Sequence, residues 1–309
     1  PHLKDSINGH ATKRLDEPLA IPIAADATTY EALLRRHSLA LRTLHHSGNS
    51  KLLKNGMYSH SSLCFCLEEI SSLFRKHTED TARYLIRAYD CTNYEYDTKT
   101  PGLQDRILSP CLNFLGGTQP SFIAEIFKDR LLTEGFASRT WFINEEEPRS
   151  YRYDIFTFSP EQLEARAGLV KHVGELIKLF GNLKQTSAAY SFMKNYVETI
   201  LPNKNMRANQ STKLEHYYSR KKVHVEKLAG AIHFADSVEM TIDLPSYQKA
   251  IAMLDGFETS MDKSLNVGGR NPLAARSEKI LKYLRKRGGD TFPGIWREFV
   301  DDLNEKELV

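Results

Sequence analysis

The sequence predicts an α/β fold, a parallel-sheet layer through about residue 158 followed by an all-helical region. Three observations carry that expectation. Leu63-Cys64-Phe65-Cys66-Leu67 is an apolar run that ends abruptly in Glu68-Glu69, and Cys111-Leu112-Asn113-Phe114-Leu115 is a second run, ending in Gly116-Gly117-Thr118-Gln119-Pro120. Such runs, bounded by turn residues, read as strands buried on both faces, as in parallel sheets. Segments with helical spacing alternate with them, and beyond Ser159-Pro160 every segment reads helical.

In order along the chain, Leu19 to Ile23 is the first strand candidate. Thr28-Thr29-Tyr30-Glu31 supplies an N-cap with Glu three residues on, a capping box that opens a helix through about Leu44. A polar turn region around Ser47 to Ser50 and Asn55-Gly56 leads into the Leu63 strand, and Ile70 to Phe74 and Thr81 to Tyr89 carry helical spacing. Asn93 to Pro101 reads as a polar loop, Cys111 to Leu115 as a buried strand, Phe122 to Leu132 as a helix and Thr140 to Ile143 as a third strand. Right-handed crossovers would join these strands into a parallel layer over residues 1–158.

A helical domain follows at 159–264. Leu163, Ala167, Val170, Ile177 and Phe180 share one face of a first helix, and Ala188 to Leu201 forms a second, stopped by Pro202. A stripe from Leu214 to Ala235 marks a long helix from about Ser211 to Phe234, broken near Lys221 or Lys222. Pro245 suits the first turn of a helix through about Met261. Residues 265–274, rich in Gly and Asn, read as a linker. Residues 275–309 then give helix, Gly288-Gly289 turn and helix, the start of a winged-helix-like or helical tail.

A chain of 309 residues with 41% hydrophobic and 26% charged content can bury a sizeable core. No apolar stretch approaches the eighteen or so residues of a membrane span, and no secretory signal core follows the basic start, so no membrane association and a cytoplasmic location are expected. Cys64, Cys66, Cys91 and Cys111 lack zinc-ligand spacing and read mostly as small core hydrophobes. The net charge of +3 is spread unevenly. Seven basic residues against two acidic ones lie between Asn203 and Lys227, and six against one lie between Arg276 and Arg287. These stretches are either solvated helix faces or phosphate contacts. On the second reading Arg220, Lys221, Lys222, Lys282, Arg285 and Lys286 are the nucleic-acid candidates.

In an open parallel sheet the ligand crevice lies at the carboxyl ends of the strands, so the polar tips of the two apolar runs would line one site. Triphosphate hydrolysis needs Mg2+, a group that orients the attacking water, and cations that stabilise developing charge. Glu68 would hold Mg2+ through water, and Glu69 would polarise the nucleophile as the catalytic base. Thr118 and Gln119 would contact the γ-phosphate of ATP or that water, and Arg139 would act as an arginine finger or sensor. If Arg139 acts across a subunit boundary, the active form is a ring. The plain alternatives are that the carboxylates cap the next helix, that the glycines only make a turn, and that Arg139 is a surface cation.

Leu112 through Pro120, Gly135-Phe136-Ala137-Ser138-Arg139 and Tyr218 through Ala229 closely resemble an uncharacterised family widespread in phages, plasmids and integrated elements, domain of unknown function 3987. Its members look like the P-loop ATPase half of primase-helicases, and the resemblance runs from about Thr28 to Met261. It implies a RecA-like P-loop NTPase core binding ATP and Mg2+. It further implies DNA unwinding or translocation during replication of a mobile element, and a homo-oligomer such as a hexameric ring. The chain departs from the pattern in one respect: it holds no Gly-x-x-x-x-Gly-Lys-Ser/Thr string to cradle the β and γ phosphates. In related proteins that loop and the central strand before it would lie upstream of Pro1. The chain is therefore expected to be a fragment, with a gap in the sheet beside the Leu63 strand. The competing expectations are a catalytically inactive ATPase-derived DNA-binding or assembly module and a regulatory ATPase of a defence or partition system.

Overall fold

The structure, a computed structural model, describes residues 22–24, 29–45, 57–74, 77–97, 104–119, 122–123, 135–144, 157–266 and 272–299. Its first helix, α1 (Tyr30–Leu39), starts where Thr29 caps the Ala32 N–H through its side chain. The helix buries Leu33 and Leu34 and stops five residues earlier than its sequence pattern predicts. Leu41–His45 instead forms β1, antiparallel to β2 (Met57–Leu67) with Leu41 opposite Ser61 and Thr43 hydrogen-bonded to Ser59. A hairpin ladder satisfies these backbone groups as well as a helix would, and the cross-strand pairs decide between the two.

β2 is the centre of a three-stranded mixed sheet. Along its second half it pairs in parallel with β5 (Cys111–Gly116), in register from Ser62↔Cys111 to Leu67↔Gly116. On the opposite edge, beyond β1, Ile23 makes a parallel bridge to Cys64. There the Cys64 N–H donates to Pro22 O and the Ala24 N–H to Cys64 O. Among the described residues the edge of β2 opposite β5 is taken by β1 and, at Cys64, by residues 22–24, so the gap expected beside the Leu63 strand is filled at that position. The sheet is also not wholly parallel, because β1 runs against it. β5 is less enclosed than its apolar run predicts: Cys111, Asn113 and Leu115 are exposed, and among the described residues it pairs only with β2.

Beyond β2 come the one-turn helix α2 (Ser71–Phe74) and α3 (Thr78–Tyr89), whose Ala82, Tyr84, Leu85 and Ala88 face the sheet. Part of the expected loop at Asn93 to Pro101 is a strand. β3 (Tyr94–Asp97) pairs antiparallel with β4 (Gln104–Ile107). Aromatic contacts hold it: Tyr94 meets the Tyr84 ring edge-on at 5.2 Å, Tyr96 meets Tyr30 at 5.8 Å, and the Tyr30 and Tyr94 hydroxyls lie 2.8 Å apart. His37, fully buried, donates from Nε2 to Ser61 O and contacts the Tyr84 hydroxyl, tying α1 to β2 and α3. Of the expected Phe122 to Leu132 helix only residues 122–123 are described. Thr140 to Ile143 is not a strand; it follows a 3-10 turn, Ala137–Arg139, and places Phe142 in a cluster with Leu214, Tyr217 and Met261.

From residue 157 onward the chain is nearly all helix. α4 (Pro160–Leu176) opens with a complete capping box between Ser159 and Gln162, with Pro160 in its first turn. None of its residues is buried, and Leu163 is 50% exposed, so the expected apolar face does not meet the core. The core is built by α5 (Ser187–Asn195), α7 (Lys221–Asp236) and α8 (Leu244–Asn266), which bury Ala189, Met193, Val225, Ala229, Tyr247 and Leu254 among them. A π-helical turn, Tyr196–Ile200, extends α5. Before α7 lies the short α6 (Glu215–Tyr218), and the break expected at Lys221 or Lys222 falls just before them, at Ser219-Arg220. Two short parallel strands, β6 (Lys184–Gln185) and β7 (Thr241–Ile242), brace the start of α5 against α8. α8 continues through residues 265–266, into the expected linker, and α9 (Pro272–Arg287) and α10 (Phe292–Phe299) form the tail hairpin. Gly288 and Gly289 turn that hairpin with φ of 76° and 127°, values that favour glycine. Among the described residues no helix is long and apolar enough to cross a membrane.

Candidate functional site

β2 and β5 run in the same direction and end together, so their polar tips meet. The Thr118 hydroxyl donates to Glu69 Oε1 at 3.0 Å, and the same oxygen accepts the Ser71 N–H at 3.1 Å at the start of α2. Backbone hydrogen bonds interlock the two strand ends: the Gly117 N–H donates to Leu67 O and the Ile70 N–H to Gly117 O. The approach is close enough to need glycine, since a Cβ on Gly117 would lie 2.7 Å from Glu68 O. The Gly116-Gly117 pair is therefore more than a turn; it lets Thr118 reach Glu69.

Glu68 points into solvent and has no hydrogen bond or ion pair among the described residues. Gln119 is also exposed, and its carbonyl accepts the Phe122 and Ile123 N–H groups. The structure therefore brings Glu69 and Thr118 into contact, with Glu68 and Gln119 adjacent in sequence and open to solvent. The described residues hold no group of three His, Cys, Asp or Glu that converges on one point.

Arg139 lies elsewhere. Its guanidinium donates to Asp90 Oδ2 at 2.8 Å and to Gly135 O at 3.0 Å, with a side chain 9% exposed. Asp90 caps the C-terminal end of α3, a helix of 12 residues and about 18 Å, while Phe136 of the same turn as Arg139 packs on Phe74. Arg139 is neither a surface cation nor part of the Glu69 and Thr118 cluster in the same chain.

Around Asp90 the structure assembles a junction that no sequence spacing announced. His224 of α7 donates from Nε2 to Ser138 O at 2.9 Å, which leaves Nδ1 to accept Trp141 Nε1–H at 2.9 Å and the Tyr89 hydroxyl at 3.1 Å. Its ring stacks on Tyr217 at 4.9 Å. Burial, with help from Lys227, Arg220 and Arg139 nearby, pushes its pKa down to about 4, so His224 is neutral at ordinary pH. Lys227 donates to Tyr89 O at 2.6 Å and sits 3.6 Å from the centre of the Tyr89 ring. The hydrogen-bonded partners lie 83 to 138 residues apart in sequence.

The basic turn expected to contact DNA is largely spoken for. Lys221 is a correction: its side chain is 3% exposed and its Nζ lies 2.6 Å from Asp255 Oδ1 and 2.8 Å from the fully buried Glu258 carboxylate. Tyr218 donates to Glu258 Oε2 at 2.9 Å, completing an internal network. Burial works against the Lys221 ammonium, yet the two carboxylates outweigh it and raise its pKa. Arg220 lies 3.7 Å from Asp90, and Lys222 is exposed but paired with Glu226 at 3.2 Å. Lys282, Arg285 and Lys286 stand exposed on α9 with no ion pair among the described residues. None of the four cysteines is in a disulfide; Cys64 and Cys66 are half-buried and Cys91 and Cys111 exposed. No protein-family model matches the chain, and no curated protein matches it.

Proposed function

We propose that the chain is the motor portion of a DNA helicase or translocase of the RecA-like P-loop class, from the replication apparatus of a mobile element, with the nucleotide handled at the Glu69 and Thr118 corner. The observation that supports this reading is the 3.0 Å hydrogen bond from Thr118 to Glu69 across the carboxyl ends of two parallel strands. Glu69, fixed by Thr118 and by the Ser71 N–H, is held to accept a proton from an attacking water. Glu68, free beside it, suits an outer-shell role toward Mg2+, and a bound Mg2+ would neutralise triphosphate charge. Thr118 orients Glu69, and Gln119 is open to a phosphate or the water. Arg139, engaged with Asp90, would serve a neighbouring subunit rather than its own, which suits a ring.

A second reading, a hydrolytically silent DNA-binding or assembly module descended from such a motor, is favoured by the missing phosphate-loop string and by the engagement of Glu69 with two donors in the same chain. Glu69→Gln separates them. On the motor reading, Mg2+-dependent phosphate release from ATP in the presence of DNA falls by about 100-fold or more, the usual scale for loss of a general base. Equal rates for the two proteins sink the role given to Glu69.

A further inference from the structure

With Lys221 internal and its neighbours Arg220 and Lys222 paired, other exposed cations of the helical region become the candidates for a phosphate contact, and two of them lie beside an exposed aromatic ring on α5. α5 buries Ala189 and Met193 and, by the helical period, turns Ser187, Tyr190, Ser191 and Lys194 outward. Its outward face forms one wall of a groove of about 580 Å3, and Leu183, Lys184 and Gln185 at the β6 edge form the other. Tyr190 stands 61% exposed in that groove. A tyrosine ring left open to water between two lysines, on a helix whose other face is well packed, is an unused platform. Lys184 and Lys194 flank it and have no carboxylate within ion-pair distance among the described residues. Elsewhere in the region Lys178, Lys204, Arg207 and Lys222 all have acidic partners.

We infer that this groove binds single-stranded nucleic acid. A base would stack on Tyr190, and backbone phosphates would meet Lys184 on one side and Lys194 on the other. An aromatic platform flanked by cations is what a sequence-tolerant single-strand site requires, because every base has a stacking face and every nucleotide a phosphate. The Ser187 and Ser191 hydroxyls supply donors along the same face. The choice of nucleic acid over other polyanions rests on the DNA-directed reading above. The charge pattern argues against an acid-poor peptide, although β6 has an open edge.

The test is fluorescence anisotropy of a short labelled oligothymidylate with the full chain and no nucleotide, over a salt series. Tyr190→Ala should weaken binding by about 5- to 100-fold, the scale of one lost base stack. Lys184→Ala combined with Lys194→Ala should flatten the slope of log affinity against log salt by about 1.4, or about 0.7 for each lost phosphate contact. All three side chains are exposed, so thermal melting followed by circular dichroism should be unchanged and reports that the variants fold. Oligothymidylate binding that no groove variant alters would overturn the inference and leave the DNA-directed reading standing. A protein that binds neither single- nor double-stranded DNA would overturn both, and capture of an extended peptide in place of the oligonucleotide would overturn the inference in favour of strand addition at β6.

Discussion

Replacing Lys221 by Ala should be among the most damaging single changes in the helical region. Glu258 is 0% exposed and, after losing an ammonium 2.8 Å away, would be left with phenol hydroxyls alone, Tyr218 at 2.9 Å and Tyr217 beside it. Asp255 is 45% exposed and can return to water, so the penalty concentrates on Glu258. Stranding one buried charge costs about 3–5 kcal/mol, a large share of the roughly 5–15 kcal/mol that holds a protein of ordinary stability together. Removing both charges, with Lys221→Met and Glu258→Leu, should recover part of that loss. It leaves the Tyr218 and Tyr217 hydroxyls without that acceptor, at about 1–3 kcal/mol for each that stays buried and unpaired. Urea unfolding followed by far-ultraviolet circular dichroism reads both values. Burial already outweighs Lys221 and Tyr218 and holds the Glu258 carboxyl above the usual carboxylate range, and deleting Lys221 pushes it further up. The folded single variant then binds a proton more tightly than its unfolded chain does, so its deficit should shrink as the pH falls. A single variant that loses less than about 1 kcal/mol, or a double variant no more stable than the single one, refutes the idea that this pair is a buried structural network.

Two further outcomes follow from the packing. His224 binds its proton at about 4 when folded against 6.5 ordinarily, so the unfolded chain gains protons first as pH falls. Stability should therefore decline between those values, by up to ~3 kcal/mol. His224→Ala should remove its share of that dependence, leaving the smaller part due to His37 and His60, whose pKa values burial also lowers, and, by depriving Trp141 and Tyr89 of an acceptor, lower stability already at neutral pH; pH-resolved thermal melting measures both effects. Gly117→Ala forces a methyl against Glu68 O and should cost about 1–3 kcal/mol while loosening the Thr118 to Glu69 contact. Unaltered melting and unaltered phosphate release in that variant would contradict the close-approach argument.

The corner built by Glu69 and Thr118 was legible because two apolar runs with polar ends obey a rule of parallel sheets that depends on strand direction alone. The helix break near Ser219-Arg220 and the first-turn role of Pro245 were legible for a similar reason, each being fixed by residues within one turn. What escaped was set by partners far along the chain. β1 looks helical until Tyr58 to Ser61 is placed beside it, and β3 looks like a loop until Tyr84 and Tyr30 supply rings for Tyr94 and Tyr96 to meet. Lys221 carries the same charge in the sequence whether it faces water or α8; only the carboxylates of Asp255 and Glu258, more than thirty residues onward, decide that it is internal. Arg139 was placed by proximity to a strand that does not form.

The last turn of α3 grips both halves of the molecule at once. Asp90 holds Arg139 from the preceding layer and lies near Arg220, while Tyr89 engages His224 and Lys227 of the long helix behind. A swing of one half relative to the other cannot start here by stretching a single contact. The ion pair, the imidazole bridge and the ammonium seated on the phenol would have to give way together, so this corner behaves as a bolt, and any pivoting would have to take place at some other point along the backbone.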